Sequence, residues 1–165
     1  MSRLFATALL VALLAGCGGG SGERSVVARV IDGDTVALAD GRHVRLLQVD
    51  APELSENECY AAMAKRVLAT LVPAGTTAEL EPDPGLDRVD SYGRLLRYVF
   101  TGGENVNVEL TSRGAVGVYF FHGERGKYAD DLLAASEEAR ADRRGLWGAC
   151  PATPFEPERK VEAMR

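Results

Sequence analysis

The chain has 165 residues, 46% of them hydrophobic and 26% charged, which suffices for one hydrophobic core beside short terminal segments and excludes two. Its 24 acidic and 19 basic residues give a net charge of −5, excluding the global basic footprint that gives most non-specific nucleic-acid binders their affinity. Three cysteines without a CxxC pair, and two histidines (His43 and His122) far apart in the chain, exclude the usual zinc spacings.

Residues 1–16 are a short basic head followed by a roughly ten-residue apolar run, too short for a comfortable bilayer span and suited to a secretory signal. Leu14-Ala15-Gly16-Cys17 resembles a bacterial lipobox, in which the cysteine is acylated and becomes the mature N-terminus. Several acyl chains would anchor the protein stably to the cell-envelope membrane, facing the periplasm or the exterior, with residues 17–25 as a Gly/Ser-rich tether. Loss of Arg3 with the signal would bring the net charge to −6.

The body spans residues 26–150 and holds no internal repeat. Residues 26–31 and 35–39 alternate as strands, and Asp40-Gly41 is a tight-turn signal that folds residues 42–49 back on them. Pro52 holds Ala51 extended and ends the ladder, so Glu53 projects from a rigid corner. Ser55 to Glu58 has capping-box spacing, and Ala64, Val67, Leu68 and Leu71 recur at helical intervals, predicting a helix over 58–72 stopped by Pro73. Residues 76–80 and 95–100 read as further strands, joined by a loop rich in Pro, Gly and Asp. Residues 106–113 and 127–144 read as helices ended by Gly114 and Gly145. Five strands with about three helices form an α+β chain, mainly β, compatible with a small barrel but not diagnostic of one. Trp147 is expected as a core plug, and residues 151–165, interrupted by Pro151, Pro154 and Pro157, as a disordered charged tail. With Cys17 acylated in an oxidising compartment, Cys59 and Cys150 are left to form a disulfide.

The hairpin carries the chemistry. Asp34, Asp50 and Glu53 gather at the strand ends with Arg45, and Arg94 follows in a later segment. Phosphodiester hydrolysis needs an activated water and positive charge on the phosphoryl oxygens. Asp34 and Asp50 can hold a divalent cation, Glu53 can orient or deprotonate water, and Arg45 and Arg94 can grip phosphate through their planar forks. An all-oxygen ligand set favours calcium over zinc.

Three segments then carry a resemblance: Ile31-Asp32-Gly33-Asp34-Thr35, Val44 to Glu53 (VRLLQVDAPE), and Asp90-Ser91-Tyr92-Gly93-Arg94. In order and spacing they resemble the signature of the staphylococcal nuclease (thermonuclease) family, over residues 26–147. The resemblance implies an OB-type five-stranded barrel, calcium as cofactor, and hydrolysis of DNA and RNA to 3′-phosphate ends. It implies Arg45, Glu53 and Arg94 as catalytic residues, and Asp34, Asp50 and the backbone carbonyl of Ala51 as metal ligands. Ala51 stands where the reference enzyme has threonine, and Ser91 replaces a lysine that would help hold a terminal phosphate. Residues 54–59 replace a longer lysine-rich loop and carry Glu56 and Glu58, so positive charge near the substrate is reduced; Arg45, Arg94 and Arg88 would do the steering.

The expected function is therefore that of a lipid-anchored, calcium-dependent nuclease, monomeric and non-specific, weakened steeply by salt. The alternative is a non-catalytic OB-type module that binds nucleic acid or an envelope partner; filled metal and phosphate positions argue against it. A carboxylate-pair hydrolase acting on glycosides is disfavoured by the two arginines.

Overall fold

The computed structural model describes residues 22–163. The expected signal over 1–16, the expected lipid attachment at Cys17 and most of the expected tether lie outside the described residues. Alternating residues form β1 (Glu23–Val30), β2 (Thr35–Leu38) and β3 (His43–Leu46), with β2 and β3 joined through Asp40-Gly41. Gly41 takes φ 91° there, and the Asp40 carboxylate accepts the Arg42 N–H at 3.0 Å, which fixes the turn. β5 (Thr77–Glu81) and β6 (Leu95–Thr101) complete the barrel; β4 (Val49–Asp50), which follows β3, pairs instead with β8 (Gly117–Val118). A two-residue β7 (Glu104–Asn105) extends β6.

The strand order β3-β2-β1-β5-β6 closes on itself through a parallel β3–β6 pairing that sets Arg45 beside Leu96. β1 serves both halves: its first residues pair with β5, its last with β2, and a register shift between Val27 and Arg29 bends it between them. This is the five-stranded OB-type barrel expected from the resemblance.

Val27, Val36, Val44, Leu46, Leu80 and Val99 fill the barrel, all fully buried or nearly so. At about 25 cal/mol per Å² of apolar area, each such side chain stabilises by roughly 1.5–3 kcal/mol relative to exposure. Helix α1 (Ala61–Leu71) turns Ala61, Ala64 and Leu68 into this core, α2 (Val106–Ser112) adds Val106 and Leu110, and α3 (Ala129–Ala141) adds Ala129 and Leu132. α2 is capped by Asn105, whose side chain accepts the N–H groups of Asn107 and Val108. α3 carries Asp130 and Asp131 in its first turn and Arg140 in its last, as the helix dipole favours. A short α4 (Leu146–Ala149) follows, and Trp147 packs with Ala139, Leu146 and Cys150 in a second small cluster, as a plug.

Three expectations differ from the structure. The strand β1 begins at Glu23, so residues 23–25 of the expected tether pair with β5. α1 starts at Ala61 after Tyr60 at φ 70°, without a side-chain cap; Glu58, expected to close a capping box, accepts the Glu53 N–H at 2.7 Å. The expected disordered tail is ordered over 151–163. The Phe120 N–H donates to the Pro157 carbonyl (2.6 Å), the Cys59 N–H donates to the Ala163 carbonyl (3.3 Å), and Val161 and Ala163 are buried. Proline removes backbone donors and narrows the conformations of the unfolded chain, so a Pro-rich strap loses less entropy on docking than its composition suggests.

Candidate active site

The turn before β2 brings the first acid into place. The Asp32 carboxylate accepts the Asp34 N–H at 3.1 Å, and the Ile31 N–H donates to the Thr35 carbonyl at 2.9 Å. Gly33 is required by closeness: a Cβ there would fall 2.5 Å from the Ala51 Cβ and 2.8 Å from the Ala64 Cβ. The same tight packing lets the Ala51 N–H reach Asp34 Oδ2 at 2.8 Å, while the Thr35 hydroxyl donates to Asp34 Oδ1 at 2.9 Å. The two strand ends are thus tied across 17 positions of sequence.

Arg45 rises from β3 between the two aspartates. Its Nη2 donates to Asp50 Oδ1 at 2.6 Å and lies 3.0 Å from Asp34 Oδ2, so one oxygen of each carboxylate converges on a single point. Its Nη1 donates to the carbonyls of Leu46 (2.9 Å) and Val49 (2.5 Å). The fork expected to face phosphate is therefore taken up by the protein itself. The second Asp50 oxygen accepts the Val161 N–H at 2.8 Å, a partner from the far end of the chain.

Two buried carboxylates share one guanidinium, which leaves a net negative charge in a low-dielectric setting. Burial pushes Asp34 up to about 7 against the opposing pull of Arg45, with Asp32 and Asp50 adding repulsion. Burial likewise raises Asp50, opposed by Arg45, the Val161 N–H and Lys160. Burial works against the Arg45 charge, and Asp34 and Asp50 more than offset it, holding its pKa above the ordinary value. Among the described residues no group of three His, Cys, Asp or Glu side chains converges as a metal cluster. What converges is a pair of aspartate oxygens with uncompensated charge, a donor set that fits a hard cation completed by backbone oxygen and water.

Glu53 follows Pro52 at the corner, exposed, with its carboxylate unpartnered among the described residues. Arg94 approaches from the turn before β6. The Asp90 carboxylate accepts the N–H groups of Tyr92 and Arg94 (each 2.9 Å) and the Arg94 Nε–H (2.6 Å), leaving both Nη groups of the fork free. The guanidinium carbon also lies 5.4 Å from the Tyr92 ring centre. Asp34, Arg45, Asp50, Glu53 and Arg94 all line one cleft of about 480 Å³, whereas Arg88, expected to help steer substrate, does not line it. Sequence reasoning gave no role to Asp90 or Lys160. The i,i+4 spacing of Asp90 and Arg94 was a signal for the first; nothing local signals the second.

A disulfide joins Cys59 and Cys150 across 91 positions, linking the approach to α1 with the end of α4. His43 and His122 are both exposed, as expected of surface residues.

A family model for staphylococcal nuclease homologues matches residues 43–149, well over half of the chain. The chain belongs to the staphylococcal nuclease family. Among curated family relatives, Endonuclease YncB of Bacillus subtilis is 37% identical over 126 residues, covering 72% of this chain and 59% of that protein. Protein ParB of Escherichia coli is 34% identical over 159 residues, covering 88% of this chain and 84% of the relative. An uncharacterized endonuclease of Escherichia coli O157:H7 is 35% identical, covering 78% and 80%. The chain spans less than two thirds of the two Bacillus relatives, 59% of one and 42% of SPbeta prophage-derived endonuclease YokF.

Proposed function

We propose that this staphylococcal nuclease family member hydrolyses phosphodiester bonds in DNA or RNA, non-specifically, with calcium, releasing 3′-phosphate ends. The observation that carries this reading is the pairing of buried Asp34 and Asp50 oxygens on the single Arg45 guanidinium, one negative charge in excess, in the same cleft as Glu53 and an Arg94 fork held only through its Nε. Asp34, Asp50 and the Ala51 carbonyl would hold the calcium, which would supply positive charge to the phosphoryl oxygens.

The chain's own groups divide the remaining work. Glu53 holds an attacking water and takes or orients its proton. Arg94 donates from its two free Nη groups to phosphoryl oxygens, its Nε anchored by Asp90, so that the fork is preorganised before substrate arrives. Arg45 keeps the two aspartates turned inward in the absence of metal, and its guanidinium is already placed at the cleft to meet a phosphate once its carboxylate partners are shared with a cation. Relatives named as endonucleases support the same reaction class. The signal-like head and Cys17 support a lipid-anchored site of action at the cell envelope, and a monomer suffices because one chain supplies every group named.

The test is digestion of single-stranded and duplex DNA and RNA by the full chain, in calcium and in chelator, with end-group analysis of the products. Cleavage that needs calcium and leaves 3′-phosphates is expected. No cleavage with any divalent ion would leave a nucleic-acid-binding module in place of a nuclease. Mass spectrometry of the membrane fraction tests the anchor: an acylated N-terminal Cys17 is expected, and an unmodified peptide across Gly16-Cys17 in the mature protein would remove it.

A further inference from the structure

A nuclease must hold a polyanion, yet this cleft is acidic. Carboxylates outnumber cations along its walls, and the cations are Arg45, Arg94 and Lys160. Arg45 is spent on Asp34 and Asp50, and Arg94 is ion-paired to Asp90. The neighbouring Arg159 faces Glu156 at 3.1 Å and Glu162 at 3.7 Å. Lys160 is exposed and lines the cleft, and unlike those three it makes no ion pair with any described residue. An ammonium that acts on Asp50 through space, but is held in no ion pair, is the group a phosphate would meet at least cost in broken contacts.

The strap that carries Lys160 is pinned on both sides. Upstream, the Pro157 carbonyl accepts the Phe120 N–H; downstream, the Val161 N–H donates to Asp50 and the Ala163 carbonyl accepts the Cys59 N–H. Val161 sits over Gly117, where a Cβ would fall 2.3 Å from the Val161 Cγ2, so the strap is seated against β8 with no room for a side chain beneath it. Lys160 is therefore held at a fixed place beside Asp50, with only its flexible stem to adjust.

We propose that Lys160 is a substrate-binding residue: the C-terminal strap carries it to the rim of the cleft, where its ammonium contacts a backbone phosphate of the bound polynucleotide. It supplies the positive charge that residues 54–59 and Ser91 lack. This inference rests on the nuclease reading, and the phosphate it contacts flanks the scissile one, since Asp34, Asp50 and Arg94 surround the latter.

The experiment compares the full chain with Lys160→Ala and Lys160→Arg. Initial rates on a single-stranded oligonucleotide give KM and kcat, and binding of the same oligonucleotide to each protein in a Glu53→Gln background gives affinity against salt without cleavage. Lys160→Ala is expected to raise KM roughly five- to tenfold with a smaller change in kcat, and to reduce the slope of log affinity against log salt by about 0.7, the loss of one single-strand phosphate contact. Lys160→Arg is expected to restore both. Because Lys160 is exposed, the melting temperature of each variant should match the parent. An unchanged KM and salt slope in Lys160→Ala, or a loss that Lys160→Arg fails to restore, overturns the proposal. Failure of the parent to cleave any polynucleotide sinks the nuclease reading instead, and the binding slope still decides whether Lys160 touches phosphate.

Discussion

Asp34 is a buried acid whose pKa is pushed up to about 7, and that has a cost the free protein carries. Through about pH 5 to 7 the folded chain holds a proton on Asp34 that the unfolded chain has released, so stability in chelator falls as pH rises through that window. Glu23, Asp40 and Asp90 shift the opposite way, and their contributions are already complete above the ordinary carboxylate range. Calcium requires the deprotonated pair, so its stabilising effect grows with pH over the same interval. Melting temperatures at several pH values, with chelator and with calcium, check this; a chelated protein that becomes more stable from pH 5 to 7 would contradict it. In the proposed mechanism Glu53→Gln and Arg94→Lys would act on the reaction and not on the ion. Each is expected to lower kcat roughly a hundredfold or more, the scale of one lost preorganised group, while the calcium midpoint of initial rates stays close to the parent's. Asp90→Ala should lower kcat as well, because the Arg94 Nε then loses its anchor. Parental rates in all three would place the chemistry elsewhere.

At the scale of elements, the hairpin from β2 to β3 is the part most legible in the chain. Period-two alternation and Asp40-Gly41 dictate it, and register then fixes which side chains face the cleft. Helix interiors were legible from their periodicity, but the start of α1 was not. Ser55 and Glu58 have the spacing of a cap, yet Glu58 is worth more tying down the Glu53 N–H at the rim of the site. A spacing rule cannot reveal a competing donor on the other side of the same carboxylate. A close fit between elements that bears on the site lies at Gly33, where the turn meets both Ala51 and α1. Gly33→Ala should cost about 1–3 kcal/mol through overpacking, and should displace Asp34 enough to weaken calcium binding. Denaturant unfolding together with a calcium titration measures both effects; a variant of parental stability would mean that the turn yields freely.

For the molecule as a whole, the disulfide is the largest single constraint. Closing the 91-residue separation of Cys59 and Cys150 contributes on the order of 4 kcal/mol in the chain-entropy model. Replacing both cysteines with serine should lower the melting temperature by on the order of ten degrees, and calorimetry that finds no change would show that packing of Trp147 and Phe155 alone holds this end. The pairing could be argued from two leftover thiols, but the docking of residues 151–163 could not. Its contacts are backbone hydrogen bonds and two small apolar side chains, Val161 and Ala163, amid prolines and charges that read as solvent-facing. Lys160 was hidden for the same reason, because its importance comes from where the strap ends and from nothing in its own neighbourhood of sequence.

The bond from the Val161 N–H to Asp50 spans 111 positions and also sets an order in time. Synthesis delivers Asp34, Arg45 and Asp50 first, Arg94 well after them, and Val161 later still, 111 positions after Asp50. Barrel closure through β3 and β6 must likewise wait for the later strand. A growing chain on the ribosome therefore carries its acids long before it carries the partners that organise them. Arrival of the strap at Asp50, and not the appearance of any one acid, is the event that turns a loose set of carboxylates into an organised cleft.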